Sequence, residues 1–500
     1  MMKRDFCFET ATIRQIEEEI VRRGLCDGLS LMERAAAAFC RELTERKTVK
    51  GRRVAVAVGT GNNGGDGYAI ARLLREAGAA VTVYAIGEPK TDSAREMKKR
   101  YPGEVVPFSG KEPLRADIVV DALLGIGTVG PVRAAMEEAI AAVNQSGAYV
   151  ASVDVPSGLA ADSAERPSGA VRADLCVSFF GYKKALLMFP AAANAGTVAV
   201  DSLGCGEEFL SEFPVQACIC RQLTFPKREA DTHKGNYGTA ALVCGSAGMA
   251  GAAILSCDAA LRSGAGLVRA VVPESVYPIV AGRVAEAVFD RYTSRKKSIY
   301  GALETACRKA TAVLIGCGLS QGKNAERCLD FLLKNARVPL VIDADGINLL
   351  SRRIDSLRQL SEKVPVLLTP HPAEMARLCR KTVAEIERDR PKVAREFAET
   401  YHCTVILKGS KTVIAGENGE VWINVTGNPG MATGGSGDTL AGIAVSFLAQ
   451  GMPALQAGIS AVYCHAAAGD AAAKRQGERG MLPRDLIGEI GRVCQSFEES

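Results

Sequence analysis

Arg53-Val54-Ala55-Val56-Ala57-Val58 runs straight into Gly59-Thr60-Gly61-Asn62-Asn63-Gly64-Gly65-Asp66-Gly67. The first six residues form a short apolar run rich in valine, the pattern of a strand buried on both faces. The next nine are almost free of bulky side chains, and an amphipathic stretch, 68–77, follows them. Strand, glycine loop and helix in that order open a parallel α/β unit. Glycine lets backbone N–H groups approach a phosphate, and a helix N-terminus adds positive potential there. A plain strand-to-helix turn rarely needs five glycines with two asparagines and an aspartate, so the loop reads as a ligand cradle. It is denser than the dinucleotide fingerprint G-x-G-x-x-G, and no Gly-Lys-Ser/Thr follows as in a P-loop.

The same alternation continues outward. Buried strands are predicted at 80–86, 118–123, 148–153 and 175–179, with a further helix at 132–144. Beyond residue 232 the pattern restarts, with strands at 239–244, 267–272, 312–315, 340–342, 366–368 and 404–408. A doubly wound parallel sheet is expected for each half. The stretch between Asp201 and Thr232 holds Gly204, Gly206, Pro214 and Pro226 without sustained periodicity, which places the boundary there. The domains are therefore set at 1–213 and 225–500.

At 500 residues the chain exceeds one ordinary core. A net charge of +5 and 5% aromatic residues argue against nucleic-acid binding. Sixteen cysteines are scattered without a C-x-x-C pair, as buried thiols in a reducing compartment would be. Zinc is not expected. The uncharged stretch 239–257 is rich in Gly, Ala and Ser rather than Leu and Phe, so a glycine loop entering a buried helix fits better than a membrane span. Met1–Phe6 shows no apolar signal region, and a cytoplasmic protein without a membrane partner is expected.

Two more strand ends in the first half carry acids. Asp121 precedes Ala122-Leu123-Leu124-Gly125-Ile126-Gly127-Thr128-Val129-Gly130-Pro131, and Asp154 precedes Val155-Pro156-Ser157-Gly158. Ligands of open α/β sheets gather at the carboxyl ends of strands, so one shared site is expected. Taken singly, each aspartate is as readily a cap or turn residue. The ordered motifs N-N-G-G-D-G, D-A-L-L-G-I-G-x-x-G-P and D-V-P-S-G-L resemble the NAD(P)H-hydrate epimerase family over about residues 10–205. The resemblance implies that Asn62, Asn63, Gly64, Gly65 and Asp66 hold the hydrated nucleotide with Gly125, Ile126, Gly127, Thr128, Val129, Gly130 and Pro131. It also implies Asn63, Asp121 and Ser157 as ligands of a potassium ion, and Asp154 as a substrate contact. Lys183, after Ser178-Phe179-Phe180-Gly181-Tyr182, is the candidate for the family's lysine, with Lys184 next to it as the alternative and a solvated surface lysine as the plainer reading. Epimerisation needs proton transfers, which a carboxylate and an amine on opposite sides of the substrate can supply.

In the second half Asn428-Pro429-Gly430-Met431-Ala432-Thr433-Gly434-Gly435-Ser436-Gly437-Asp438 leads into a helical pattern. Such a helix start can hold transferring phosphate oxygens, and Asp438 in its first turn can take the proton of an acceptor hydroxyl. A capping carboxylate is the plainer reading. G-x-G-D here resembles the ribokinase-like kinases. His233–Gly238, Gly245–Ala252, Ala259–Val268, Asp343–Gly346, Thr369–Met375 and Leu407–Thr412 narrow the resemblance to the NAD(P)H-hydrate dehydratase family, over about residues 230–490. It implies Ala253, Gly318 and His371 as hydrate contacts, Lys408, Gly409, Ser410, Lys411, Thr412 and Gly437 as nucleotide contacts, and Asp438 at the reacting hydroxyl. Ala373 and Cys317 depart from the family's H-P-G-E and G-P-G.

The combined resemblance implies a repair enzyme for hydrated NADH and NADPH. Its first domain, Rossmann-like and three-layered, would epimerise the R and S hydrates with K+. Its second, ribokinase-like, would dehydrate the S hydrate with Mg2+ and ADP, and a homo-oligomer is expected. The rival reading is a small-molecule kinase for a vitamin precursor, fused to a nucleotide-binding module. It predicts a stable phosphorylated product instead of released phosphate.

Overall fold

The computed structural model describes residues 4–110, 114–127, 133–166, 169–220, 223, 225 and 228–498. Contacts divide the chain into one compact unit, Asp5–Cys218, and a second from Ile219 onward. The division falls inside a strand, Ala217–Cys220, in a stretch that also forms a strand, Thr197–Asp201, and a short helix, Glu207–Leu210.

The first unit contains a 7-stranded sheet in the order Glu104–Pro107, Ala80–Ala85, Arg53–Val58, Ile118–Ala122, Tyr149–Val153, Leu175–Phe179, Thr197–Asp201. Every neighbouring pair is parallel. The chain builds outward from Arg53–Val58 in one direction, then returns to its other flank at Ile118–Ala122. The carboxyl ends of those two strands therefore bound the crevice where such sheets bind ligands. All residues of Ile118–Ala122 and Leu175–Phe179 are buried, which explains why their sequences lack polar alternation.

The second unit repeats the plan. Its strands lie in the order Val421–Ile423, Val413–Ala415, Thr404–Leu407, Val366–Leu368, Leu340–Ile342, Ala312–Ile315, Thr239–Val243, Leu267–Pro273, Val288–Tyr292. Val413–Ala415 pairs antiparallel with both of its neighbours here, and the rest pair parallel. The order again reverses beside the first strand, between Thr239–Val243 and Ala312–Ile315. The sequence located the central strands and missed the marginal ones, Glu104–Pro107, Thr197–Asp201, Val288–Tyr292, Val413–Ala415 and Val421–Ile423. The uncharged stretch 239–257 is a strand, a turn and the helix Ala250–Arg262. Among the described residues no helix is long and apolar enough to cross a membrane.

One local expectation needs correction. The helix after Arg53–Val58 spans Asn62–Glu76, so most of the glycine run lies inside its first two turns rather than in a loop. A Cβ at Gly67 would stand 2.7 Å from both Ala122 Cβ and Val58 Cγ1. One at Gly64 would collide with the Gly59 carbonyl. These glycines let the helix press against the strand ends, and none of the five needs a left-handed backbone.

Candidate active sites

At the first crevice a cavity of about 610 Å³ opens between the two strand ends and the helix Thr10–Arg22. Asn62, Asn63, Asp66, Gly125, Ile126, Gly127 and Asp154 all line it. Gly64 and Gly65 are buried behind that wall. Thr128, Val129, Gly130 and Pro131 lie outside the described residues.

Asp154 closes Tyr149–Val153 with φ of 64°, in the left-handed region where a non-glycine residue is held only by its surroundings. Its N–H donates to Val177 O at 2.8 Å, and its Oδ1 accepts from Phe179 N at 3.1 Å and from Lys183 Nζ. Lys183 is 0% exposed, and its ammonium also donates to Ser178 Oγ at 2.9 Å and Phe179 O at 2.8 Å. Carboxylate and amine thus do not face each other across a substrate. They form one buried pair behind the cavity wall, of which only Asp154 lines the cavity.

Asp121 is wholly buried. Its oxygens accept from Ser157 Oγ at 2.5 Å, Ser157 N at 2.9 Å, Ser152 Oγ at 2.8 Å and Leu123 N at 3.3 Å. Burial raises its pKa against the lowering effect of those bonds. Ser157 Oγ also receives Leu124 N at 2.8 Å, tying Asp121 to the loop that carries Gly125. Asn63 stands against Gly125, and its amide nitrogen is buried without a partner. With no hydrogen bond to fix the amide's orientation, the position can equally present oxygen. An unpartnered amide, a carboxylate and a hydroxyl are hard donors of the kind an alkali cation takes.

Sequence reasoning missed two charged residues of this cavity, Arg14 and Glu17. Glu17 lines the cavity and is exposed. Burial, then the charge of Asp154, pushes its pKa up to about 7. Burial, Asp154 and Glu17 hold the Asp66 carboxyl well above the usual range. Neither Arg14 nor Glu17 sits in a motif, so nothing in the sequence marks them.

At the second crevice the helix Ser436–Ala449 brings its first turn against the two strand ends. Its cap, Gly435, has φ of 95°, which suits glycine, and nearly every later residue of the helix is buried. Acceptor atoms of Asp438, Asp343 and Cys317 lie within 4.8 Å of one another. Burial, then the charge of Asp343, raises the Asp438 pKa to about 6. Asp343 Oδ1 accepts from Thr369 Oγ1 at 2.6 Å and Lys408 Nζ at 2.8 Å. A Cβ at Gly437 would stand 3.5 Å from Lys408 Nζ, so the ammonium reaches the helix start.

The remaining candidates spread around this centre. Gly318 adopts φ of 58° and its carbonyl accepts from Ser246 Oγ at 2.8 Å. His371 caps the helix Pro372–Cys379, its Nδ1 accepting from Ala373 N at 3.1 Å and Glu374 N at 3.3 Å, while half its side chain reaches solvent. Ala253 is 0% exposed, packed beside Gly245, so it shapes the wall without reaching its surface. Gly409, Ser410, Lys411 and Thr412 follow the strand Thr404–Leu407. Arg390, almost fully buried, donates to Ser410 O at 2.9 Å and Leu407 O at 3.0 Å and so grips this loop from behind. Arg390 and the Ser436 contact to His465 Nε2 at 3.2 Å were invisible in the sequence.

Comparisons with known proteins match both halves of the chain. A family described as NAD(P)H-hydrate dehydratase matches residues 240–492, and one described as YjeF-related protein N-terminus matches residues 28–185. The bifunctional NAD(P)H-hydrate repair enzyme of Coxiella burnetii is 36% identical over 489 residues, covering 96% of this chain and 97% of its own. The chain belongs to the bifunctional NAD(P)H-hydrate repair enzyme family. Another member, from Escherichia coli, is 35% identical over 451 residues, 88% of this chain and 84% of its own. The ADP/ATP-dependent NAD(P)H-hydrate dehydratase of Bacillus subtilis, co-crystallised with ATP and Mg2+, is 32% identical and covers 55% of this chain and 95% of its own, at a TM-score of 0.48. Membership of the repair family accounts for two unlike crevices in one chain, which a lone kinase would not need.

Proposed function

We propose that residues 1–213 interconvert the R and S hydrates of NADH and NADPH, and that residues 225–500 use ADP to dehydrate the S hydrate to NAD(P)H, AMP and phosphate. The observation that carries the second activity is Asp438. It sits in the first turn of a glycine-started helix, its carboxyl pKa is raised to about 6, and Lys408 reaches Gly437 beside it. Hydroxide leaves the carbon beside the ring nitrogen poorly. Asp438 takes the proton of that hydroxyl as its oxygen attacks the terminal phosphorus of ADP, and AMP departs. The helix N–H groups and Lys408 stabilise the transferring oxygens. The nitrogen lone pair then expels phosphate to leave a C=N+ bond, and loss of a proton from the adjacent ring carbon restores the dihydropyridine. Mg2+ would travel on the nucleotide phosphates. Lys408, Gly409, Ser410, Lys411, Thr412 and Gly437 are assigned to the nucleotide, and Gly318 and His371 to the hydrate.

In the first domain Asn63, Asp121 and Ser157 would hold potassium, which supplies a fixed positive charge beside the substrate. Asp154 is the substrate-facing carboxylate, and Lys183 holds it in place. Purified protein incubated with mixed hydrated NADH and ADP should regain reduced-cofactor absorbance with one phosphate released per molecule restored. A stable phosphorylated product without phosphate release would establish the vitamin-precursor kinase reading instead.

A further inference from the structure

Epimerisation needs two proton carriers, and Lys183 cannot be one of them. It is fully buried, all three of its protons are engaged, and it does not line the cavity. Among the described lining residues the ionisable groups are Arg14, Glu17, Asp66 and Asp154. A guanidinium does not give up its proton at ordinary pH. Asp66 lies half-buried in the glycine-rich helix start. Glu17 differs from it in two ways: it comes from a separate wall, the helix Thr10–Arg22, and it keeps a path to bulk water.

We propose that Glu17 is the second catalytic proton carrier of the epimerase cavity, acting on the same substrate carbon as Asp154. This inference rests on the epimerase reading of the first domain. Glu17 in its acid form protonates the hydroxyl, the C–O bond breaks, and water leaves while the ring-nitrogen lone pair forms a C=N+ bond. A water molecule then adds to the opposite face, its proton passes to Asp154, and the nitrogen recovers its lone pair. One proton has moved from Glu17 to Asp154, and solvent returns it.

The charged groups around Glu17 are Asp154 and Lys183 from the strand ends, Asp66 from the glycine-rich helix, and Arg14 and Glu18 on its own helix. Asp154 and Glu18 hold its proton on, while Lys183 and Arg14 oppose them, and Asp66 keeps its own proton well above the usual carboxylate range. The productive state carries that proton, so kcat/KM for exchange should fall as pH rises through about 7.

The test follows R–S exchange by full-length Glu17→Gln, Glu17→Asp and Glu18→Gln across pH, with a parallel run in 18O-water. Glu17→Gln should lower kcat about a hundredfold with KM within about twofold, and lose the limb near 7. Glu17→Asp should restore part of the rate, Glu18→Gln should keep the parental kcat with its pH limb moved slightly lower, and each inversion should bring one solvent oxygen into the hydroxyl. Glu17→Gln with parental kcat, a change in KM alone, or inversion without label would overturn the proposal. If the parent protein exchanges no epimers, the epimerase reading itself fails, which is a separate result.

Discussion

Asp154 and Asp438 border the crevices of two sheets of one design, the first just past a strand end and the second in the first turn of a helix. Each lies at the crevice where the strand order reverses, and each follows a run of buried apolar residues or precedes one. Their surroundings differ. Asp154 is pinned from behind by a lysine that is itself sealed from solvent, so the fold fixes its direction. Asp438 has no such partner. It faces Asp343 and Cys317, and its proton affinity is raised to about 6. A carboxylate held by an ammonium keeps one direction in an open cavity, aimed at a water that adds to the substrate. One left close to its own titration point suits proton acceptance during phosphoryl transfer.

The sharpest way to break this comparison is Asp438→Asn. It should lower ADP-dependent recovery of reduced cofactor by about a thousandfold while epimer exchange continues. A variant within tenfold of the parent would show that Asp438 only caps its helix. Lys183→Met leaves the Asp154 carboxylate buried without its counter-charge. It should destabilise the first unit by about 3–5 kcal/mol. Adding Asp154→Asn should recover part of that loss, measured by denaturant unfolding, and no recovery would deny the pairing.

Smaller effects sharpen the picture. Gly67→Ala drives a methyl against Ala122 and Val58 and should cost about 1–3 kcal/mol of stability. If the alanine variant folds with parental stability, the glycine serves the ligand and not the packing. Arg390→Met removes both hydrogen bonds to the carbonyls at 407 and 410. KM for ADP should rise roughly tenfold with little change in kcat. Finally, dehydration requires Asp438 as the carboxylate, so kcat should fall as pH drops through about 6, to about a tenth one unit below it. A flat profile there would separate Asp438 from the proton transfer.

The chain's residues alone determined the two parallel sheets, because valine-rich runs such as Arg53–Val58 and Ile118–Ala122 are buried on both faces and lose all polar alternation. They also singled out Asp121, Asp154 and Asp438 as candidates, since these stand next to glycine turns or helix starts. Side-chain partnerships were decided only in three dimensions. Lys183 lies 29 residues from Asp154, Lys408 lies 65 from Asp343, and Arg390 grips carbonyls 17 and 20 residues away. Glu17 reaches its cavity from a helix with no motif at all. The physical reason is that burial and charge proximity set proton affinity, and both depend on folding distances that sequence spacing does not encode. The glycine run shows the same limit from the other side: its composition announced close approach, but only the packed helix showed that much of what approaches is the protein itself.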